Sequence, residues 1–322
     1  MTRAARAIGL AAGLIVLIAQ LAVWYPRYAL QTAAEADGLD FPIYQRAAAR
    51  VGSHRSPYEP CLNRHDQPPF CLLYPPPFTA LLVVGAHVSF ASFAAGIYAV
   101  LLIAFWAYAA GLVRLARGRV TFAEVGLAAL ALLVTPGLNL TMAFGNLDLV
   151  VWALVVWGLV AERWLPLLVI AAACKLWPAV PLAVLVAARP RRWPRVALTA
   201  AAVLAFTIAV VGTRSFAEWR QTALPVLEAG TVVWSNISAV AILERHGVRL
   251  PRLVVAVLPA AAAVVTGIAT RRRPEALRAA WCAVAALFCA SICWWHYAAV
   301  LWLPAAAWLQ ARRVEASAEA RP

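Results

Sequence analysis

Charged residues are scarce in this chain of 322 residues. They make up 13% of the sequence and hydrophobic residues 64%, whereas soluble proteins have about 25% and about 45–50%. The mean hydropathy is +0.78, and no soluble core needs so much apolar surface. This composition excludes soluble, disordered, fibrous and disulfide-scaffold classes, and it predicts an all-α integral membrane protein with many passes.

Lysine is almost absent, since Lys175 is the only lysine among 28 basic residues. The net charge is +14, but the arginines form no continuous stripe, so we expect no nucleic-acid partner. They lie in short clusters between apolar segments, which is typical of membrane topology signals. By the positive-inside rule, the clusters predicted to face the cytoplasm are at residues 3–6, 114–119, 163, 189–195, 271–273 and 312–313.

The uncharged segments predict about ten transmembrane helices. The first, 8–24, is longer than the apolar core of a signal peptide and ends in aromatic residues, so we interpret it as a retained anchor. If the segment 78–90 crossed the membrane, the arginine clusters after it would no longer fall on the cytoplasmic side. We therefore predict that it is re-entrant or interfacial. Both termini are then cytoplasmic, with one membrane domain over 1–310 and a polar, disordered tail over 311–322. The other predicted passes are 92–113, 122–135, 147–160, the short pair 165–174 and 178–188, then 196–212, 253–268, 277–293 and 297–309.

Two long loops, 25–77 and 213–252, fall on the predicted outer face. Cys61 and Cys71 lie ten positions apart in the first loop, a spacing that suits a disulfide in an oxidising exterior, although two free thiols are the alternative. The other four cysteines lie in apolar segments, and no Cys/His set has zinc-ligand spacing. We therefore predict neither a metal nor a cofactor.

Charged groups beside a bilayer are costly and are therefore candidates for function. Asp40, Asp148, Lys175 and His296 all fall near the predicted outer face. Each has a structural alternative: Asp40 can cap a helix, Asp148 can complement a helix dipole, Lys175 can snorkel to headgroups and His296 can belong to an interfacial belt. Against these, Lys175 lies between two helices too short to cross, where membrane proteins build anion sites.

Neutral polar residues add to this set of candidates. Tyr44 follows Asp40 by four positions, and Tyr74 precedes three prolines that can hold a rigid wall at the membrane surface. Asn146 lies two positions before Asp148, and Asn236 lies in a compact polar stretch of the second outer loop. We predict that these residues contact substrate.

Taken in order, these motifs resemble those of the GT-C superfamily of polytopic glycosyltransferases. They are most similar to the glycosyltransferase 87 family of bacterial polyprenyl-phosphate-mannose-dependent α-mannosyltransferases. The chain departs from the family pattern at Trp295 and Tyr297, where members usually have an acidic residue and a second histidine. The motifs that carry the resemblance are Asp40-Phe41 with Tyr44, Pro57-Tyr58-Glu59-Pro60, Tyr74-Pro75-Pro76-Pro77, Gly145-Asn146-Leu147-Asp148, Lys175 with Pro178, Trp234-Ser235-Asn236-Ile237-Ser238 and Cys293-Trp294-Trp295-His296-Tyr297.

The resemblance implies a GT-C-type bundle in the bacterial plasma membrane, with its active site facing the exterior. It implies an inverting transfer of a sugar, mannose, from a polyprenyl-phosphate donor to a cell-envelope glycolipid or glycan, with Asp40 as general base. A lipid-linked substrate transporter or flippase is the alternative. A transporter predicts internal repeats and a polar pathway across the membrane, whereas here no repeat is evident and the polar residues gather on one face.

Overall fold

The computed structural model describes residues 2–22, 40–58, 71–135 and 137–319. Among these residues the regular structure is helical, with no strand. Short 3-10 segments lie at Val83–Gly85, Glu162–Trp164, Pro190–Arg192 and Trp295–Leu301. The helices are α1 (Arg3–Ala19), α2 (Asp40–Gly52), α3 (Pro76–Leu82), α4 (Phe90–Arg117), α5 (Phe122–Leu133), α6 (Leu138–Ala143), α7 (Asp148–Val160), α8 (Leu165–Cys174), α9 (Ala179–Ala188), α10 (Trp193–Val211), α11 (Arg214–Ala229), α12 (Ala239–Arg245), α13 (Arg252–Ala269), α14 (Glu275–Phe288) and α15 (Trp302–Glu319).

Four of the described helices are long and apolar enough to cross a membrane, and several shorter apolar helices accompany them. The helical, apolar character predicted from composition is therefore confirmed. The count of ten passes and the cytoplasmic position of both termini stay predictions. The four long helices are Arg3–Ala22, Phe90–Arg117, Pro190–Val211 and Arg252–Ala269.

Helix α4 lies at the centre of the bundle and packs against α5, α7 and α15. The hydroxyl of Tyr108, in α4, donates to the backbone oxygen of Ala299 at 2.8 Å. The indole of Trp157, in α7, donates to the backbone oxygen of Ala107 at 2.9 Å. Buried donors of this kind need a partner, so both contacts fix α7 and the 3-10 segment Trp295–Leu301 relative to α4. Both of those elements carry candidate site residues.

Glycines allow α1 to lie directly against α5. A Cβ on Gly126 would lie 2.1 Å from the backbone oxygen of Gly9 and 3.0 Å from the Cα of Gly13. Helices in membranes associate through small residues because close backbone approach increases packing. Gly9 and Gly13 are four positions apart and so lie on one face of α1. The first helix is thereby held in the bundle.

The break between α8 and α9 lies where the sequence predicts it. The predicted segments 165–174 and 178–188 correspond to α8, which ends at Cys174, and to α9, which begins at Ala179. Between them Lys175 has an extended backbone, with φ −151° and ψ 137°. The segment 78–90 is covered by α3 and a 3-10 segment, which are too short to cross a bilayer.

Two predicted irregular regions contain helices. The second outer loop, 213–252, holds α11 and α12. The tail 311–322 was predicted to be disordered, and this is wrong for most of its length because α15 runs to Glu319. Its Arg312 pairs with Glu315 one turn later at 3.3 Å, and such local pairs support a helix that is already nucleated inside the bundle.

Candidate active site

Asp40 is the first residue of α2 and is half-buried. Its backbone N–H donates to the oxygen of Phe144 at 3.1 Å, which ties the start of α2 to the turn before α7. One helical turn later, the Tyr44 hydroxyl oxygen lies 3.4 Å from the Asp40 carboxylate. Within the described residues this carboxylate accepts no backbone N–H. Among the described residues its partners are therefore side chains of the cluster and not a helix N-terminus.

The surroundings of Asp40 favour its protonated form. Burial, together with the nearby carboxylate of Asp148, raises the pKa of Asp40 to about 7. Lys175, Tyr44 and Asn146 oppose this rise, because a positive charge and hydrogen bonds stabilise the carboxylate. A carboxylate with a pKa near neutrality accepts a proton far more readily than an exposed aspartate does.

A row of hydroxyl groups joins Asp40 to the interior of the bundle. The hydroxyl oxygens of Tyr44 and Tyr74 lie 3.4 Å apart. That of Tyr74 lies 3.1 Å from Asn146 Oδ1 and 3.3 Å from Asp148 Oδ1. Burial raises the pKa of both tyrosines well above the ordinary value, so both remain hydroxyl donors. Residues predicted separately as Asp40, Tyr44, Tyr74, Asn146 and Asp148 thus form one connected cluster.

Lys175 turns into this cluster rather than out to the headgroup region. Its ammonium donates to the carboxylate of Asp148 and to the hydroxyl of Tyr297. It also lies 5.0 Å from the ring centre of Tyr74 and 4.5 Å from that of Tyr297, within range of a cation–π interaction. The Asp148 side chain is 1% exposed and that of Lys175 18%. A buried charge needs such pairing, so each residue holds the other in place.

Gly145 brings Asn146 and Asp148 against α2. Its φ is +68°, a conformation that favours glycine, and an added Cβ would lie 2.1 Å from the ring of Phe41. Asn146 Oδ1 then accepts the backbone N–H of Asp148 at 2.9 Å. The side chain of Asn146 thereby satisfies a free donor at the start of α7. The tight turn explains how two carboxylates from distant parts of the chain come together.

Asn236 is fully buried, and its hydrogen bonds go to the backbone and not to the side chains of the cluster. Its amide nitrogen donates to the oxygens of Thr231 and Ser291 at 2.7 and 3.0 Å. Its amide oxygen accepts from the N–H groups of Ser238 and Cys293 at 3.1 and 2.9 Å. All its hydrogen-bonding capacity is spent on the backbone, so its contribution here is to hold the segment that leads to Tyr297.

Two other predicted residues fall partly outside the described part of the chain. The backbone of His296 lies in the 3-10 segment Trp295–Leu301, but its side chain is outside the description, so its role in the site stays a prediction. Cys71 is disulfide-bonded, whereas Cys61 lies outside the described residues. The pairing of Cys61 with Cys71 therefore stays a prediction as well.

Tyr297 belongs to the cluster, although the sequence marked it only as a departure from the family motif. Its hydroxyl accepts from Lys175, and its ring packs edge-on against Trp152, with ring centres 6.3 Å apart. The sequence feature that could have identified Tyr297 is its position next to His296 in the same short motif. The contact itself joins residues 122 positions apart, and it depends on how α15 packs against α4.

An apolar groove of about 400 Å³ opens beside the cluster. Three of its lining residues connect it to the polar groups: Phe78 stacks on Tyr74 with ring centres 4.0 Å apart, and Leu147 and Cys174 directly precede Asp148 and Lys175. The rest of the lining comes from α3 and the 3-10 segment after it, the connection to α4, and helices α4, α7 and α8, and it is almost wholly aliphatic or aromatic. Buried charged groups and an apolar groove therefore lie side by side in one site.

The profile of Glycosyltransferase family 87 matches residues 72–293, more than half of the chain. The chain belongs to glycosyltransferase family 87. Searches of curated proteins and of solved structures found no significant match. With its apolar helices, this family 87 member is a membrane-associated glycosyltransferase. The matched range includes Tyr74, Asp148 and Lys175, whereas Asp40 and Tyr297 lie outside it, so their assignment depends on the geometry above.

The described residues of the family 87 chain contain no group of three or more His, Cys, Asp or Glu side chains placed to hold a metal ion. The expectation that no metal takes part in transfer stays a prediction. Positive charge at the described site comes from Lys175.

Proposed function

We propose that this glycosyltransferase moves mannose from a polyprenyl-phosphate donor to a cell-envelope glycolipid or glycan on the extracytoplasmic face of the bacterial plasma membrane. The observation that carries the proposal is the shared wall between the apolar groove and the cluster of Asp40, Asp148 and Lys175. A donor with a long hydrocarbon chain and a phosphate needs both environments side by side. The groove accepts the prenyl chain, and the cluster receives the phosphate and the sugar.

Asp40 serves as the general base in this proposal. The acceptor hydroxyl gives its proton to the Asp40 carboxylate while its oxygen attacks the anomeric carbon from the side opposite the phosphate. The bond from that carbon to the phosphate oxygen breaks, and polyprenyl phosphate leaves with the electron pair. The product has inverted configuration. The raised pKa of Asp40, about 7, suits it to accept a proton at neutral pH.

Lys175 stabilises the leaving phosphate in this proposal. An ammonium carries three N–H donors, and within the described residues Lys175 uses two of them, on Asp148 and Tyr297. The third is free to donate to a phosphate oxygen. A donor fixed before reaction and shielded from water stabilises developing negative charge without reorganisation. Tyr44, Tyr74 and Asn146 supply hydroxyl and amide groups to orient the sugar.

The donor class is tested with membranes that contain the overexpressed protein. Radiolabelled polyprenyl-phosphate-mannose is expected to label a membrane glycolipid or glycan above a vector control, whereas labelled GDP-mannose is not, provided that synthesis of the lipid-linked donor is inhibited. Direct labelling from the nucleotide sugar would overturn the proposed donor. Movement of the lipid-linked sugar across the membrane without formation of a labelled product would support the transporter alternative.

The pH dependence of transfer follows from the raised pKa of Asp40. A general base works only when deprotonated, so kcat/KM is expected to fall about tenfold per pH unit below about pH 7 and to level off above it. The measurement is the initial rate at limiting donor between about pH 5 and 9. Replacing the exposed Glu228 with glutamine is expected to leave the profile unchanged. A flat profile through pH 7 would show that no group with the pKa of Asp40 limits transfer.

A further inference from the structure

A second cavity, of about 690 Å³, lies at the opposite end of the bundle from the candidate active site, among the arginine clusters predicted to face the cytoplasm. The last turn of α7, the end of α9, the middle of α15 and the beginning of α14 surround it. Its lining combines buried leucines, among them Leu159, Leu165 and Leu185, with several arginines. The cavity plays no part in the proposed transfer reaction.

The charge of this cavity is strongly positive. Five arginines and two glutamates line it. Arg189 pairs with Glu275 at 2.8 Å, while Arg192 lies 2.9 Å from Glu275 and 3.4 Å from Glu162. Both glutamates are therefore engaged by the two arginines that follow α9. The excess positive charge belongs to the other three arginines, on the connection between α13 and α14 and on the first turn of α14.

Those three arginines, Arg271, Arg273 and Arg278, form no salt bridge within the described residues. The Nε of Arg278 is buried and has no hydrogen-bond partner there. A buried donor without a partner costs free energy that a bound acceptor removes. The first turn of α14 also borders the cavity, and its N-cap, Pro274, offers no side-chain acceptor. Free backbone N–H groups at a helix N-terminus attract anions.

These observations point to a phosphate-bearing ligand with an apolar portion. Arginine binds phosphate oxygens through paired N–H groups, and the leucines in the lining offer an apolar surface next to them. We infer that this cavity binds the phosphate headgroup of an anionic phospholipid from the membrane leaflet on that side, with Arg273 and Arg278 as its principal contacts. Bound there, the lipid would join the connection between α13 and α14 to the end of α9 and the middle of α15.

The test measures binding of phosphatidylglycerol to the delipidated full-length protein in detergent by native mass spectrometry, with phosphatidylcholine as the zwitterionic reference. The double variant Arg273→Gln/Arg278→Gln is expected to bind phosphatidylglycerol about tenfold or more weakly, which is the effect of losing a charge-assisted hydrogen bond. The matched control is Arg119→Gln/Arg272→Gln, which removes two exposed positive charges from residues that do not line the cavity. Its affinity is expected to remain that of the wild type.

Three outcomes would overturn the inference. Equal weakening in both double variants would mean that a diffuse basic surface attracts the lipid, and no weakening in either would remove the arginines from binding. Displacement of phosphatidylglycerol by millimolar inorganic phosphate would identify free phosphate as the occupant in place of lipid. The single variant Arg273→Gln changes only an exposed residue and should not disturb folding. It is expected to lose affinity for phosphatidylglycerol as well, but less than the double variant.

Discussion

Replacing Asp40 with asparagine is expected to lower the rate of sugar transfer by about 10²–10⁴-fold, the usual contribution of a general base. Asparagine keeps the shape of the side chain and can still face the Tyr44 hydroxyl, but it does not accept a proton from the acceptor. The measurement is transfer of label from polyprenyl-phosphate-mannose at equal amounts of membrane protein. Binding of the donor is expected to change little, because Asp40 acts on the acceptor hydroxyl.

Glu228→Gln is the matched control, since it also removes one carboxylate, from an exposed position of α11. It is expected to retain full activity. Thermal melting of both variants separates loss of chemistry from loss of fold, and Asp40→Asn is expected to melt no lower than the wild type because a buried carboxylate is costly to keep charged. Wild-type transfer by Asp40→Asn would leave Asp40 a structural residue and move the search for the base to Asp148 or His296.

Local signals in the sequence located the parts of the site that depend on nearby residues. The sequence analysis gives a helix cap as one role for Asp40, and α2 does begin there. The break at Lys175 was predicted because a charge and Pro178 interrupt two apolar runs, and α8 and α9 end and begin at those positions. In both cases neighbours within a few positions determine the structure.

The contacts between distant segments had no such signal. Lys175 meets Tyr297 because α7 packs against both α4 and α8, while the 3-10 segment after α14 is bonded to α4 through Tyr108. No local periodicity in the sequence predicts that arrangement. Asn236 shows the reverse case. Its polar motif suggested a contact with substrate, but the same amide groups satisfy four backbone groups around it. Hydrogen-bonding capacity is visible in a sequence, whereas its partner is not.

Replacing Lys175 with methionine is expected to abolish measurable transfer and to destabilise the protein. Methionine fills a similar volume without charge, and the buried carboxylate of Asp148 loses its ammonium partner. Removing one member of a buried ion pair costs about 3–5 kcal/mol. This single variant therefore mixes two effects, loss of the donor to phosphate and loss of stability, and melting temperature alone cannot assign the lost activity.

The double variant Lys175→Met/Asp148→Asn separates these effects. It restores a neutral site, and its melting temperature is expected to recover most of the loss, since replacing both members of a buried pair is often close to neutral. Transfer is expected to stay about 10²-fold or more below wild type, because the phosphate still lacks a fixed positive charge. Together with the single variant Asp148→Asn, these variants complete a double-mutant cycle that measures the coupling free energy between Lys175 and Asp148. If transfer recovered together with stability, the pair would be structural and the leaving phosphate would have to be stabilised elsewhere.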